Sequence, residues 1–131
     1  MPVRFSHLIE VTLDSASESS SGVLDFGGIT PTRVTLYVQI VETQDNGSPT
    51  TTLTVELSPD DAQTYITYDK LLTDAGTDGP VASVAYTATV DDVVSFSPED
   101  VADYIRVTVT GSADMDAGDY HVVDIWVAWA Y

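Results

Sequence analysis

Alternation of apolar and polar residues over strand-length segments constrains the fold of this chain more than any other feature. In Arg33–Glu42 (RVTLYVQIVE), apolar residues occupy every second position from Val34 to Ile40. Alternate side chains of a β-strand share one face, so this pattern predicts a strand with one buried face. The same alternation recurs in Leu53–Leu57 and Tyr104–Thr110. The chain is therefore predicted to consist mainly of half-buried strands.

The last apolar segment, Tyr120–Trp129, differs because it is apolar on nearly both faces. Such a strand is expected either at the centre of a sheet or beneath another subunit. His7–Leu13 is expected to supply the first long strand, and shorter segments with strand composition are Val23–Phe26, Thr64–Tyr68, Ala82–Thr89 and Val93–Phe96.

Turn-forming residues separate these segments, as in Asp45–Pro49 (DNGSP) and Asp74–Pro80 (DAGTDGP). We therefore predict one domain, residues 1–131, that is all-β: an antiparallel β-sandwich or jelly roll of about eight strands. At most one short helix is expected, near 98–103, where Ser97 would be the N-cap and Pro98 the first helical residue.

The charge of the chain limits its partners. Four Lys and Arg residues stand against 21 Asp and Glu, which gives a net charge of −17. Phosphate backbones would be repelled, so nucleic acid is not an expected partner. Most of the acid is Asp and Lys70 is the only lysine, which is typical of proteins that work in concentrated salt. No cysteine and no apolar run of about 18 residues occurs, so we expect no thiolate metal site, no disulfide, no secretion signal and no membrane span.

Aspartates in two loops are the candidate metal ligands. Asp60 and Asp61 follow Pro59 in the segment SPDDAQTY, and Asp114 and Asp116 alternate in a Gly-bounded loop. Ca²⁺ needs six or more oxygens around one point, and neither loop supplies a complete set. Turn formation is therefore the preferred interpretation of both loops, with calcium binding as the alternative.

Residues for catalysis are sparse. The two histidines, His7 and His121, lie in strand patterns, and no recognised nucleophile or phosphate-loop motif is present. We predict a protein without enzymatic activity or cofactor. Trp126 and Trp129 are three residues apart, so in a strand they point to opposite faces and would not form one sugar-binding platform.

Several segments in order resemble small β-sandwich virion proteins of tailed viruses, a group that includes capsid decoration proteins. They are SGVLDFGG at Ser21–Gly28, LTVELSPDD at Leu53–Asp61, DYIRV at Asp103–Val107 and DYHVV at Asp119–Val123. The chain is similar to an acid-enriched version of this group, with Asp61 where glycine is usual and Tyr65 where tryptophan is common.

The resemblance implies a non-enzymatic decoration, or cement, protein on the outside of an icosahedral HK97-type shell of a haloarchaeal tailed virus. Its partners would be the major capsid protein and two further copies of itself in a homotrimer, and SPDDAQTY would be a hairpin turn. Arg4, Arg33, Trp126 and Trp129 are the interface candidates. A fivefold turret, a neck or tail position, and a carbohydrate- or host-surface-binding module stay open as alternatives.

The acidic surface predicts that the fold depends on salt. At molar salt the Debye length is roughly 3 Å, so repulsion among the carboxylates is screened, whereas dilute buffer leaves it unscreened. We expect circular dichroism to show loss of the β-sheet signal on dilution into low salt. Full retention of that signal and of the melting temperature at low ionic strength would contradict the prediction.

Overall fold

The computed structural model describes residues 3–60, 62–73, 80–98 and 103–131, and these residues form ten β-strands and no helix. The predicted all-β antiparallel sandwich is confirmed. Two of the strands, β5 and β6, contain only two residues each, which leaves eight longer ones. The strands are β1 (Val3–Leu13), β2 (Ser19–Asp25), β3 (Arg33–Thr43), β4 (Thr51–Ser58), β5 (Ile66–Thr67), β6 (Leu72–Thr73), β7 (Ser83–Tyr86), β8 (Val90–Phe96), β9 (Tyr104–Gly111) and β10 (Tyr120–Ala130).

The strands form two antiparallel sheets whose connections cross from one sheet to the other. Sheet A has the order β1-β10-β3-β8-β6, and sheet B has the order β2-β9-β4-β5, with β7 also paired to β4. Consecutive long strands therefore alternate between sheets, except for β4 and β7, which pair with each other in sheet B. This is the connectivity of a jelly roll, in which two sheets face each other across one core.

The core lies between the inner faces of the two sheets. In β3, Val34, Leu36, Val38 and Ile40 are almost completely buried, as the alternation in the sequence predicts. In β9, which lies across from them in sheet B, the buried residues again occupy alternate positions. Each sheet thus has one apolar inner face and one outer face.

Strand β10 lies at the centre of sheet A, between β1 and β3. Its inner side chains Val123, Ile125 and Val127 are fully buried, and its outer side chains are half-buried. Of the two positions expected for this doubly apolar strand, the structure shows the central one. The apolar outer face of β10 becomes part of the exposed surface of sheet A.

Strand β1 contains a β-bulge at Leu8. His7 pairs with Trp126 and Ile9 with Ile125, which leaves Leu8 as the extra residue. The bulge lies against β2 of the other sheet, where a Cβ built on Gly22 would come within 2.7 Å of both the Leu8 side chain and its carbonyl oxygen. Glycine at position 22 therefore permits close approach of the two sheets at this corner.

The short helix expected near 98–103 lies largely outside the described residues, which omit 99–102. Pro98 and Asp103 belong to no helix or strand. The Asp103 N–H donates to Ser58 O at 2.8 Å, and its carbonyl accepts from Phe26 N at 2.9 Å. Asp103 thus joins the ends of β2 and β4. No helix capable of spanning a membrane was found in the described parts of the chain.

Substitution Gly22→Ala should destabilise the fold, because the new methyl group meets a backbone carbonyl that cannot move without shifting the bulge. Overpacking of this kind costs about 1–3 kcal/mol. Chemical denaturation in concentrated salt measures the free energy of unfolding. Ser19→Ala, an exposed position on the same strand, is the control and should change little. Equal stability of the Gly22→Ala and Ser19→Ala proteins would show that the close contact is absent.

Candidate functional site

The outer face of sheet A carries side chains in rows that run across the strands. His7, Trp126, Tyr37 and Val93 lie directly opposite one another on β1, β10, β3 and β8. We call this set the aromatic row. Strands are about 4.8 Å apart, so the row extends roughly 14 Å across the sheet.

A second row lies beside the first and is mostly acidic. Glu10, Asp124, Gln39 and Asp91 are paired in the same strand order, and we call them the acidic row. The outer face of sheet A is therefore divided between an aromatic and an acidic part. No single segment of the sequence contains either row, because each strand contributes one residue.

The aromatic part of this face is open to solvent. Phe5 is 63% exposed and Tyr37 is 44% exposed, with their ring centroids 6.4 Å apart. Val41 is also exposed, at 49%, but it lies on the far side of the acidic row, because it follows Gln39 on the outer face of β3. Exposed apolar side chains grouped on one sheet face mark a surface that can bind a partner.

The ring of Trp126 is partly occupied by its neighbour. His7 stacks on it with a centroid distance of 4.7 Å and an interplanar angle of 13°. A face of the indole that is covered by imidazole is not available to a sugar ring. This surface is therefore better suited to side-chain packing against a protein than to carbohydrate stacking by Trp126.

Trp129 lies on the opposite face of β10 and packs against the core. Its ring is tilted against Phe26 at 6.3 Å, and the adjacent Tyr131 hydroxyl donates to Phe26 O at 2.8 Å. Of the four interface candidates, Trp126 thus lies on the outer face of sheet A, and Trp129 packs against the core.

The two arginine candidates lie on β1 and β3. Arg4 is exposed opposite Trp129, and the Arg33 guanidinium donates to Ser95 Oγ at 3.0 Å. Their role in an interface stays a prediction.

Aspartates in the loop after β9, at 114–119, stabilise that loop and the neighbouring loop after β3, at 45–48. Asp119 Oδ1 accepts from the backbone N–H groups of Asp45 and Gly47, at 2.8 and 2.9 Å. Asp114 Oδ2 accepts from Ser48 N, and Asp116 Oδ1 accepts from two further backbone amides. In the described part of the chain, these carboxylates do not form a group of three whose oxygens lie within 4.8 Å of one another. Calcium binding at Asp114 and Asp116 stays the alternative to turn formation.

The segment SPDDAQTY forms a turn built around Asp60. Its Oδ1 accepts from Thr64 N at 2.7 Å and from the Ser58 hydroxyl at 3.0 Å, and the contacts with Thr64 hold the Asp60 pKa below its ordinary value. Asp61 lies outside the described residues. Ala62 adopts the left-handed backbone conformation, with φ of 63°. Glycine adopts this conformation most easily, and here an alanine adopts it in the turn.

The turn also places Tyr65 on the outer face of sheet B. Its ring lies beneath the Arg106 guanidinium, 4.0 Å from Cζ to the ring centroid. Arg106 additionally pairs with Glu56 at 2.9 Å. The aromatic residue at position 65 thus covers a cation on the sheet, which explains why tyrosine serves at this position.

Two successive hydrogen bonds at one end of the core join a hydroxyl to an imidazole and the imidazole to a carboxylate. The sequence did not predict this arrangement. The Thr51 hydroxyl is 2.6 Å from His121 Nδ1, and His121 Nε2 is 2.9 Å from Glu42 Oε2. Thr51 and His121 are both fully buried, so no substrate can reach the hydroxyl. The set joins β4 of sheet B to β10 and β3 of sheet A, and we interpret it as a structural bridge.

A buried carboxylate, that of Asp92, lies on the inner side of β8. It accepts hydrogen bonds from the hydroxyls of Tyr86 and Thr73. Burial, reinforced by Asp92, raises the pKa of Tyr86, so its hydroxyl stays protonated and donates. These contacts satisfy Asp92 within the core and indicate structure rather than catalysis.

Comparison with known proteins supports the fold. No protein-family model and no curated protein matches the chain. A solved structure of CBM22-1-GH10 modules of Clostridium thermocellum endo-1,4-beta-D-xylanase 10B, complexed with xylohexaose, matches 98% of this chain with a TM-score of 0.54 and 10% identity. This chain covers 24% of that one. The likeness shows a shared β-sandwich fold.

Two weaker likenesses have TM-scores below 0.5 and support no conclusion. One is to the CBM36-1 domain of a multidomain xylanase from a Trinervitermes trinervoides hindgut metagenome, with 7% identity, a TM-score of 0.44, and coverage of 99% of this chain and 98% of that one. The other is to infectious bursal disease virus Gx strain, with 12% identity, a TM-score of 0.42, and coverage of 99% and 33%.

Substitution Asp119→Asn should lower the melting temperature at neutral pH. It should also make the melting temperature of the protein fall less as the pH is lowered. The Asp45 backbone N–H, helped by that of Gly47, holds the Asp119 pKa below its ordinary value, and burial opposes this only in part. A lowered pKa in the folded state stabilises the fold above the ordinary value of about 3.9, and this stabilisation is lost as pH falls through the folded-state pKa.

Thermal melts of the wild-type and Asp119→Asn proteins from neutral to acidic pH test this prediction. We expect the difference in melting temperature to be largest at neutral pH and to shrink in acid. Asp91→Asn, at an exposed position of the acidic row, serves as the control. A difference that does not change with pH would contradict the assignment.

Proposed function

We propose that this protein is a non-enzymatic structural component of a virion. Its most specific form is a capsid decoration protein that binds the outside of the icosahedral shell of a haloarchaeal tailed virus. The observation that carries the proposal is the exposed apolar part of the outer face of sheet A. The resemblance of the sequence motifs to small virion β-sandwich proteins supports the same assignment.

The outer face of sheet A has the chemistry of a protein interface. Phe5 and Tyr37 remain exposed although the chain as a whole is strongly acidic. Protein–protein interfaces have a centre enriched in aromatic residues and a polar rim, and the aromatic row beside the acidic row resembles this arrangement. Burial of these side chains against a partner would remove apolar surface from water.

Copies of the same chain are the partner that we assign to this face, in a homotrimer. Oligomers close an apolar patch by symmetry, since each copy presents the same surface. Association would bring several chains of net charge −17 together, with the acidic rows near each contact. Concentrated salt screens that repulsion, so the assembly should depend on salt. The loops at the ends of the sandwich would then be free to contact capsid subunits.

Carbohydrate binding is the second candidate function. It is favoured by the exposed rings of Phe5 and Tyr37 beside carboxylates, which can accept hydrogen bonds from sugar hydroxyls. The fold is also shared with the CBM22-1-GH10 structure that was solved with xylohexaose. The stacking of His7 on Trp126 counts against it, because it removes one indole face from use.

Light scattering in concentrated salt should give the mass of a trimer, and Tyr37→Glu should give a monomer. The added carboxylate would have to be buried without a partner at the centre of the interface, which is strongly unfavourable. Val23→Glu is the matched control, because Val23 is 50% exposed but lies on sheet B. A monomeric wild-type protein, or equal dissociation of both variants, would contradict the interface.

Binding to preformed capsids separates the decoration role from the alternatives. We expect the wild-type protein to bind capsids at high salt and raise their disruption temperature, and immunogold labelling to mark the shell rather than a vertex or the tail. Retention on xylan or host glycans, with no capsid binding, would instead support the carbohydrate-binding module.

A further inference from the structure

The bulge at Leu8 brings together three side chains that a regular strand would separate. His7 and Glu10 are three residues apart, and in an uninterrupted strand they would point to opposite faces. The extra residue reverses the alternation, so both point outward on sheet A. Asp124, the cross-strand partner of Glu10, lies beside them at the junction of the aromatic and acidic rows.

The ligand atoms of these three residues converge. One nitrogen of His7, one carboxylate oxygen of Glu10 and one of Asp124 all lie within 4.8 Å of one another. His7 Nε2 is 3.1 Å from Asp124 Oδ1. Two ligands about 2.0–2.1 Å from a tetrahedral Zn²⁺ are about 3.4 Å apart, so this pair already has suitable spacing. Glu10 Oε2 now lies 3.9 Å from the other ring nitrogen, His7 Nδ1. The Glu10 side chain is 75% exposed, so it can turn to the Nε2 side of the ring to complete the set.

The orientation of the imidazole is restrained before any ion binds. Its plane is nearly parallel to the Trp126 ring, which packs against it at 4.7 Å. A restrained ring loses less conformational entropy on coordination than a free one. His7 therefore presents Nε2 at the sheet surface on the side where Asp124 lies.

The donor set selects a class of metal. Imidazole nitrogen suits Zn²⁺, Cu²⁺ and Ni²⁺, whereas Ca²⁺ and Mg²⁺ prefer oxygen ligands throughout. Three protein ligands leave a fourth tetrahedral position for water or for a donor from another molecule. This distinguishes the cluster from the loop aspartates Asp114, Asp116 and Asp119, which accept hydrogen bonds from backbone N–H groups, and from Glu42, whose imidazole partner His121 is buried.

We propose that His7, Glu10 and Asp124 form a binding site for a divalent transition-metal ion of the Zn²⁺ class. The site does not depend on the virion function proposed above. It requires only the bulge and the pairing of β1 with β10. The hydrogen bond between His7 and Asp124 would be replaced by coordination of both residues to the same ion.

Calorimetric titration with ZnSO₄ in concentrated sodium sulfate tests the proposal, with every variant titrated at the same salt concentration so that complexation of Zn²⁺ by the anion is the same in all of them. We expect one Zn²⁺ per chain, and His7→Gln and Asp124→Asn should each weaken binding at least about tenfold, because one of three ligands is lost. Asp91→Asn is the matched control, since it removes a carboxylate from the acidic row two strands away. It should change the affinity less than about twofold.

A second readout uses the ring that contacts the site. Bound Cu²⁺ quenches nearby indole fluorescence, so Cu²⁺ should quench Trp126 emission in the wild-type and Asp91→Asn proteins but not in His7→Gln. Circular dichroism of each variant confirms that it is folded. Binding that is unaffected by His7→Gln, equal affinity for Mg²⁺ and Zn²⁺, or no binding of Zn²⁺ would each overturn the proposal.

Discussion

The pairing of β10 with β1 on one side and β3 on the other is the interaction on which the rest of this structure depends. The three strands have 11 residues each and are paired along most of their length. The inner residues of β10 form the middle of the core, and its outer residues place Trp126 and Asp124 at the centre of the aromatic and acidic rows. The register of β10 with its two neighbours thus sets both the packing of the core and the composition of the outer face of sheet A.

The abundant aspartate has two physical uses in this fold. On the surface it contributes most of the acidic excess that gives the net charge of −17. In the turns, aspartate side chains accept hydrogen bonds from nearby backbone N–H groups, as at Asp25, Asp60, Asp116 and Asp119. Without these side chains, water would have to satisfy the N–H groups. The His7, Glu10 and Asp124 cluster differs because its groups face outward from regular strands and include an imidazole.

Much of the fold was predictable, because strand alternation reports local burial. The segments around Arg33–Glu42, Leu53–Leu57, Tyr104–Thr110 and Tyr120–Trp129 all appear as strands, and the doubly apolar last strand is central. The bulge at Leu8 was not predictable from the same alternation, since it is defined by a missing partner on β10. The buried line of Thr51, His121 and Glu42 was also missed, because its members come from three strands of two sheets.

Sequence alone determined the fold class, the size of the acidic excess, and the turn formed by SPDDAQTY, because these depend on local pattern and composition. It also separated Trp126 from Trp129, since the two-residue period of a strand puts them on opposite faces. Only the tertiary structure decided which of the two lies on the outer face of sheet A and which packs against the core, which residues share a row, and which carboxylates lie beside His7. Those relations depend on strand order and register, which arise when distant segments pair, and no local pattern encodes them.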